Sequence, residues 1–200
     1  MNGKLKREVQ NMALFLASKS PRRRELLNLL GIPYLVEPAE INEGIDISDP
    51  ERLVRELALQ KALEVASQHP KDYVLAADTV VCLDEILGKP KDAREAYDML
   101  KRLSGRTHKV YTGVALLSKN DNFSRTIVEV TEVDFRVIRP KELEEYIKSG
   151  EPLDKAGAYG IQGYAGVFVT SIRGSYHNVV GLPLAQTAVL LGEAGLYSRW

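Results

Sequence analysis

Residues 73–83 constrain the fold more than any other part of the chain, because they form an almost continuous apolar run. Such a run is typical of a central strand that is buried on both faces of a sheet. Asp78 interrupts it, and a carboxylate in a buried strand is costly unless it meets a cation, a metal ion or strong hydrogen-bond donors. The run therefore predicts the central strand of a sheet. It also predicts that the Asp78 carboxylate, whether structural or functional, has a partner.

Short apolar runs alternate with helical patterns along the rest of the chain, which predicts an α/β fold. Strands are expected at 13–17, 34–37, 73–83, 110–117, 127–137 and 167–172, and helices at 21–30, 50–67, 92–103, 140–149 and 184–191. Residues 1–12 are expected to be a short N-terminal extension, frayed or weakly helical, that has no apolar core of a secretory signal. Residues 13–200 are expected to form a single two-lobed domain.

Charge and cysteine content narrow the classes of protein to be considered. Basic and acidic residues both number 27, so the formal net charge is zero, which disfavours nucleic acid as a partner. No apolar stretch has the length of a membrane helix, so a membrane partner is not expected. Cys82 is the single cysteine, no internal disulfide can form, and a cytoplasmic location is expected.

The segment 18–27, Ser-Lys-Ser-Pro-Arg-Arg-Arg-Glu-Leu-Leu, has the pattern of a helix start with three arginines in its first turn. Ser20 suits the N-cap and Pro21 the first helical position. Cations oppose the helix dipole there, so a phosphate group opposite them would explain the pattern. Helical spacing places Arg22 and Arg23 on the face of Leu26, Leu29 and Leu30, and Arg24 on the far face. A solvated basic turn paired with glutamates is the alternative.

Two lysines stand in unusual places. Lys61 lies on the apolar stripe of its helix, where a lysine ordinarily packs its stem and keeps its ammonium in water; a phosphate within reach would be a further reason for it. Lys89 sits in Gly-Lys-Pro on a rigid turn, where it could pair with Asp78 or bind phosphate.

Two glycine-rich segments, 151–163 and 174–183, suggest close-fitting loops, although each is a weak signal by itself. His69, His108, His177 and Cys82 do not have zinc-ligand spacing. The sequence also lacks the phosphate loop of P-loop enzymes, the dinucleotide-binding glycine pattern and the serine-hydrolase elbow, so a kinase or P-loop hydrolase is not expected.

Taken together and in order, six segments resemble the Maf family, and the resemblance spans about residues 13–192. They are residues 16–23, 77–81, 88–90, 104–108, 151–163 and 174–183. It implies the α/β fold shared with inosine-triphosphate pyrophosphatases, with an elongated mixed sheet, surrounding helices and a cleft between two lobes. It also implies hydrolysis of a nucleoside triphosphate between its α- and β-phosphates with a divalent cation, Mg²⁺ or Mn²⁺. A homodimer is a family-level expectation.

The resemblance also assigns roles to residues. It implies that Asp78, Lys61 and Lys89 are catalytic and that Asp78 and Glu43 bind the metal ion, the Glu43 match being the less distinctive. The implied substrate-binding residues are Ser18, Arg22, Arg23, Thr79 and Gln162. Whether Asp78 is a general base or a metal ligand stays open, because an ordinary aspartate, with a pKa of about 3.9, is a weak base at neutral pH.

The resemblance implies that three positions separate the subtypes of the family. This sequence has Arg22, Thr79 and Gln162 there, and so resembles the subtype that acts on dTTP and UTP. A glutamine amide can donate a hydrogen bond to the carbonyl of a pyrimidine such as uracil and accept one from its N–H, whereas a glutamate can accept from the paired donors of guanine. The alternatives are a pyrophosphatase for 7-methyl-GTP or for a broad range of modified triphosphates, and a non-catalytic nucleotide-binding regulator of cell division.

Overall fold

The computed structural model describes residues 12–198, and the predicted extension falls, except for Met12, outside them. Its centre is a seven-stranded mixed sheet in the order β2-β1-β3-β5-β6-β7, with β4 paired to β3. The strands are β1 (Leu14–Leu16), β2 (Leu35–Val36), β3 (Tyr73–Cys82), β4 (Ile86–Leu87), β5 (Thr107–Ser118), β6 (Phe123–Phe135) and β7 (Val169–Arg173). The first two strands and β3 run parallel, and the other pairings are antiparallel.

In the described part of the chain, six α-helices surround this sheet, and three short 3₁₀ turns lie in the segment between β6 and β7. The helices are α1 (Pro21–Asn28), α2 (Pro50–Gln68), α3 (Ala93–Leu103), α4 (Pro140–Lys148), α5 (Tyr176–Val180) and α6 (Leu184–Glu193). The 3₁₀ turns are Glu151–Asp154, Ala156–Ala158 and Tyr164–Phe168. The predicted α/β fold is confirmed.

The apolar run that predicted a central strand forms β3, which has parallel β1 on one side and antiparallel β5 on the other. Alternate residues of a strand point to opposite faces of the sheet, and both faces of β3 are covered. On one face, Val74 and Ala76 pack with Ala58 and Ala62 of α2. On the other face, Leu75 packs with residues of α1, α5 and α6.

A separate apolar core lies around α3 and α4. Leu100, Leu103, Leu143 and Tyr146 are buried there together with Phe168 of the third 3₁₀ turn. This core holds the glycine-rich segment 151–163 against the C-terminal half of β3. The core that contains Leu75 and the core around α3 and α4 therefore lie on either side of the point where β1 ends and β3 continues.

Most predicted boundaries agree with the structure to within a few residues, and the differences have local causes. Helix α1 ends at Asn28 and closes with a turn in which Gly31 has a positive φ of 67°. Leu29, predicted to lie on the buried face with Arg22 and Arg23, is 59% exposed, and Leu27 is buried instead. Leu26 and Leu30, predicted to lie on the same face, are buried against the sheet. The short elements β4 and α5 were not predicted.

Candidate active site

A cleft of about 360 Å³ opens where β1 stops and β3 runs on through residues 76–80 before it pairs with β4 at Val81 and Cys82. In α/β sheets ligands bind at such places, beyond the carboxyl ends of strands. All the residues predicted for substrate, metal and catalysis line this cleft: Ser18, Arg22, Arg23, Glu43, Lys61, Asp78, Thr79, Lys89 and Gln162. The structure therefore brings together residues that lie as much as 144 positions apart in the chain, and their individual roles stay predictions.

The partner that Asp78 needs is Lys61. Asp78 and Lys61 are 8% and 9% exposed, and the Lys61 ammonium donates a hydrogen bond to Asp78 Oδ1 over 2.7 Å. The same Nζ atom lies 2.6 Å from Oε1 of Glu43, which is half-exposed. One buried ammonium thus joins two carboxylates from β3 and from the loop between β2 and α2.

The position of Lys61 follows from its helix. α2 begins after the N-cap Asp49, whose side chain accepts the N–H of Arg52, and Pro50 occupies its first turn. Lys61 then falls on the buried stripe that faces the sheet, with its side chain directed along that face to Asp78. The lysine is buried and paired with acids, so the alternative in which its head lies in water does not hold.

Glu43 is held as an anion. Burial favours its neutral form, but the hydrogen bond and charge of Lys61, together with the charges of Lys89 and Arg23, lower the pKa of Glu43 below its usual value. Lys89 is exposed at the rim of the cleft and has no carboxylate of the described chain within ion-pair distance. It is therefore available to an anion from solution.

Arg23 is fixed by contacts with the protein on three sides. Its Nε donates to the carbonyl of Gly181 over 2.8 Å, one Nη donates to Thr79 Oγ1 over 3.1 Å, and the other reaches Ser18 Oγ at 3.4 Å. Burial lowers the pKa of Arg23, whereas the charge of Asp78 opposes that shift. The guanidinium keeps free N–H groups, so a bound anion would compensate for its lost hydration.

The helix start has the capping predicted for it. Ser20 Oγ accepts the N–H of Arg23 over 3.4 Å, and Pro21 is the first helical residue. Arg22 extends across the cleft, with one Nη 3.6 Å from a carboxylate oxygen of Asp154. The pair spans the two sides of the cleft and is partly exposed, so a phosphate could replace the carboxylate at modest cost.

Thr79 points to the opposite face of the sheet from Asp78 and begins a buried polar chain. Its Oγ1 lies 2.9 Å from Thr112 Oγ1, and Thr112 donates to the carbonyl of Asn178 over 3.1 Å. The Asn178 amide nitrogen donates to the carbonyl of Val110. This chain joins β3, β5 and α5 behind Arg23. Sequence reasoning assigned no role to Thr112 or Asn178; the glycine-rich segment 174–183 was the available signal for Asn178, and Thr112 had none.

The cleft is richer in cations than the chain as a whole. Six basic side chains and three carboxylates line it, although the chain has no formal net charge. Lys155 and Asp154 are members of this set to which the sequence assigned no role; their position in a glycine-rich segment was the available signal. The balance suits a ligand that carries several negative charges.

The residues of the cleft fit a divalent cation that is shared with a phosphate ligand. Across residues 12–198 no three histidine, cysteine or acidic side chains form a group that could hold a metal ion by themselves. Mg²⁺, however, is ordinarily held by one or two carboxylates together with water and substrate phosphates. Asp78 and Glu43, which share one ammonium, supply that number of carboxylates.

Comparison with known proteins places the chain clearly. A family model described as Maf-like protein matches residues 13–194. The dTTP/UTP pyrophosphatase of Myxococcus xanthus is 54% identical over 189 residues, covering 94% of this chain and 95% of that protein. The dTTP/UTP pyrophosphatase of Bacillus cytotoxicus is 54% identical over 173 residues, with coverages of 86% and 90%.

Further similarities were found in the sequence and structure comparisons. The dTTP/UTP pyrophosphatase of Carboxydothermus hydrogenoformans is 48% identical over 185 residues, which cover 92% of this chain and 100% of that protein. Among solved structures, the Staphylococcus aureus Ham1 protein is similar over 62% of this chain and 71% of its own, with a TM-score of 0.47 and 13% identity. Within residues 12–198, no helix has both the length and the apolar character needed to cross a membrane.

Proposed function

The chain belongs to the Maf family, and we propose that it hydrolyses dTTP and UTP to the nucleoside monophosphate and pyrophosphate in the cleft around Asp78. The observation that carries this proposal is the Lys61-bridged carboxylate pair opposite the arginines of the α1 start. Such a site can neutralise a polyphosphate on one side and orient water and a cation on the other. Relatives with about half of their residues identical carry the name of this activity.

The basic residues bind the substrate and stabilise the leaving group. Arg22, Arg23 and Lys89 hold the triphosphate, and Lys61 holds the anionic side chains beside it. Water attacks the α-phosphorus, its oxygen forms the new bond, and the bond from that phosphorus to the bridging oxygen breaks. Pyrophosphate leaves with negative charge that the guanidinium and ammonium groups stabilise. The proton released from the water passes to the solution.

Asp78 is oriented toward the cleft by the Lys61 ammonium, which donates to its Oδ1 over 2.7 Å. We infer that it accepts a hydrogen bond from the attacking water or binds a divalent cation together with Glu43. A bound Mg²⁺ or Mn²⁺ would polarise phosphate oxygens and reduce the charge repulsion that the water meets. The cytoplasmic location and the homodimer stay predictions.

The proposal is tested with a panel of triphosphates and Mg²⁺, in which products are separated and identified by phosphorus NMR. The expected products from dTTP and UTP are the monophosphate and pyrophosphate, with slower turnover of GTP, ATP and 7-methyl-GTP. Asp78→Asn should reduce the rate at least about 100-fold. Asp84→Asn, which alters an exposed aspartate paired with Arg106 outside the cleft, is the matched control.

Two results would contradict the proposal. Orthophosphate and a nucleoside diphosphate as products would place the cleavage at the other phosphoanhydride bond. Binding of dTTP without turnover of any triphosphate would favour the nucleotide-binding regulator instead.

A further inference from the structure

The segment 160–164, which carries Gln162 at the cleft, is bonded at both ends to one carboxylate–phenol pair. Glu151 accepts the backbone N–H of Tyr164 over 3.1 Å through Oε2. Its Oε1 accepts the hydroxyl of Tyr146 over 3.0 Å, and that hydroxyl accepts the N–H of Gly160 over 3.3 Å. Glu151 itself does not line the cleft.

The glycines of the segment fit closely around this carboxylate. A Cβ atom on Gly163 would overlap the Glu151 carboxylate, and one on Gly160 would lie 2.6 Å from Lys155 Cε. The φ of Gly163 is −103°, a value that any residue adopts, so backbone conformation does not require glycine there. Glycine is required there by the space that the Glu151 carboxylate occupies. This indicates that segment 160–164 and the carboxylate pack as one unit.

Glu151 is in turn anchored to the core around α3 and α4. Tyr146 of α4 is buried and packs edge-to-face on Phe168, with ring centroids 5.6 Å apart. The carbonyl of Glu151 accepts the Lys155 ammonium over 2.7 Å. The carboxylate is thus held between a rigid helix and the segment that it binds.

We propose that Glu151 is a positioning residue for base recognition. It holds segment 160–164 in the observed conformation and thereby fixes the amide of Gln162 at the cleft. This inference rests on the proposed function, because the position of Gln162 matters to catalysis only if a base is bound there. Gln162 is exposed and has no hydrogen bond of its own to a described protein atom. Its placement therefore depends on the backbone that carries it, and that backbone depends on Glu151.

A double-mutant cycle tests the proposal with dTTP as the probe. Glu151→Ala and Gln162→Ala should each reduce kcat/KM about tenfold or more, mainly through KM. The double variant should be no worse than Gln162→Ala within about twofold, because both changes remove the same interaction. Glu151→Gln, which keeps one acceptor oxygen, should restore part of the loss and serves if the alanine variant folds poorly.

Hydrogen exchange gives a readout that does not depend on turnover. In Glu151→Gln and Glu151→Ala the amides of Gly160 and Tyr164 should exchange faster than in the wild type, at unchanged exchange rates in β3. Glu145→Ala, which removes an exposed carboxylate of α4, is the matched control and should change neither exchange nor kcat/KM.

The outcomes separate the two proposals. A wild-type protein that releases no pyrophosphate contradicts the proposed function. An active wild type overturns the positioning role of Glu151 if its variants keep wild-type kcat/KM, if the losses in the cycle add, or if exchange at 160–164 does not change.

Discussion

The ammonium of Lys61 lies 2.7 Å from Oδ1 of Asp78, in a place where both side chains are less than a tenth exposed. Each residue is costly there without the other, because an unpaired buried charge loses its hydration with nothing in return. The pair lies between α2 and β3, so the site is assembled when the helix packs on the sheet. Stability and activity should therefore respond together to changes in this pair.

Lys61→Met should reduce the free energy of unfolding by about 3 kcal/mol, because Asp78 is left buried without a cation. It should also reduce pyrophosphate release from dTTP at least about 100-fold. Urea unfolding and steady-state kinetics measure the two effects.

Lys148→Met, which breaks an exposed pair with Glu145, is the control and should reduce the free energy of unfolding by less than about 1 kcal/mol. Adding Asp78→Asn to Lys61→Met should restore stability but not activity; a double variant as unstable as the single one would contradict the pairing argument.

Much of the site could be predicted because its residues violate local patterns. Asp78 interrupts an apolar strand, Lys61 interrupts an apolar stripe, and Arg22 and Arg23 oppose a helix dipole. Each violation has a cost that a distant partner offsets, so the sequence indicates that partners exist. It does not say which ones: Lys89 was a candidate partner for Asp78, and the structure pairs Asp78 with Lys61.

The residues that were missed are those whose contacts are long-range and locally unremarkable. Thr112 and Asn178 are a threonine in a strand and an asparagine in a short helix, and their hydrogen bonds join segments 66 positions apart. Glu151 opens the glycine-rich segment 151–163, but its contact with Tyr164 depends on how that segment folds back, which the sequence does not show. Strand and helix positions, in contrast, follow from periodicity within each segment and were predicted well.

Gln162→Glu should strongly reduce turnover of dTTP and UTP, because a carboxylate offers no donor to the pyrimidine carbonyl and brings a negative charge to the cleft. The expected change is a loss of at least about tenfold in kcat/KM for both substrates. Turnover of 7-methyl-GTP is measured alongside them. Glu is nearly the same size as Gln, so an unchanged substrate preference would mean that Gln162 does not contact the base.

Gly113→Ala should strongly destabilise the folded protein. Gly113 lies opposite Asp78 on β5, and a Cβ there would overlap the backbone carbonyl of Val54 in α2. Val54 and Lys61 are two helical turns apart on the same face, so a displaced helix would also move Lys61 away from Asp78. A destabilisation of about 3 kcal/mol or more is expected from urea unfolding. Gly88→Ala, whose added methyl group has no atom of the described residues within 4 Å, is the control and should leave the unfolding free energy within about 0.5 kcal/mol.

His108 should make the protein less stable in mild acid. Its ring is buried between Phe135 and Tyr159, its Nε2 lies 2.7 Å from the Tyr159 hydroxyl, and its Nδ1 has no hydrogen-bond partner among residues 12–198. Burial lowers the pKa of His108 from 6.5 to about 4, although the charge of Asp134 opposes the shift. The neutral ring is accommodated, whereas a second ring proton would have no acceptor.

The unfolded chain then binds a proton between pH 6.5 and pH 4 that the folded protein does not bind. The contribution of His108 to stability is therefore complete above pH 6.5 and is lost as the pH falls to 4, by about 3 kcal/mol in all. Urea unfolding of wild type and His108→Gln at pH 7.5, 5.5 and 4.5 measures it. Glutamine can still bond to Tyr159 and does not titrate, so the difference between the two proteins isolates the histidine from the carboxylates that also titrate there. The wild type should lose stability relative to the variant as the pH falls, and parallel curves would show that His108 takes up its proton in the folded state.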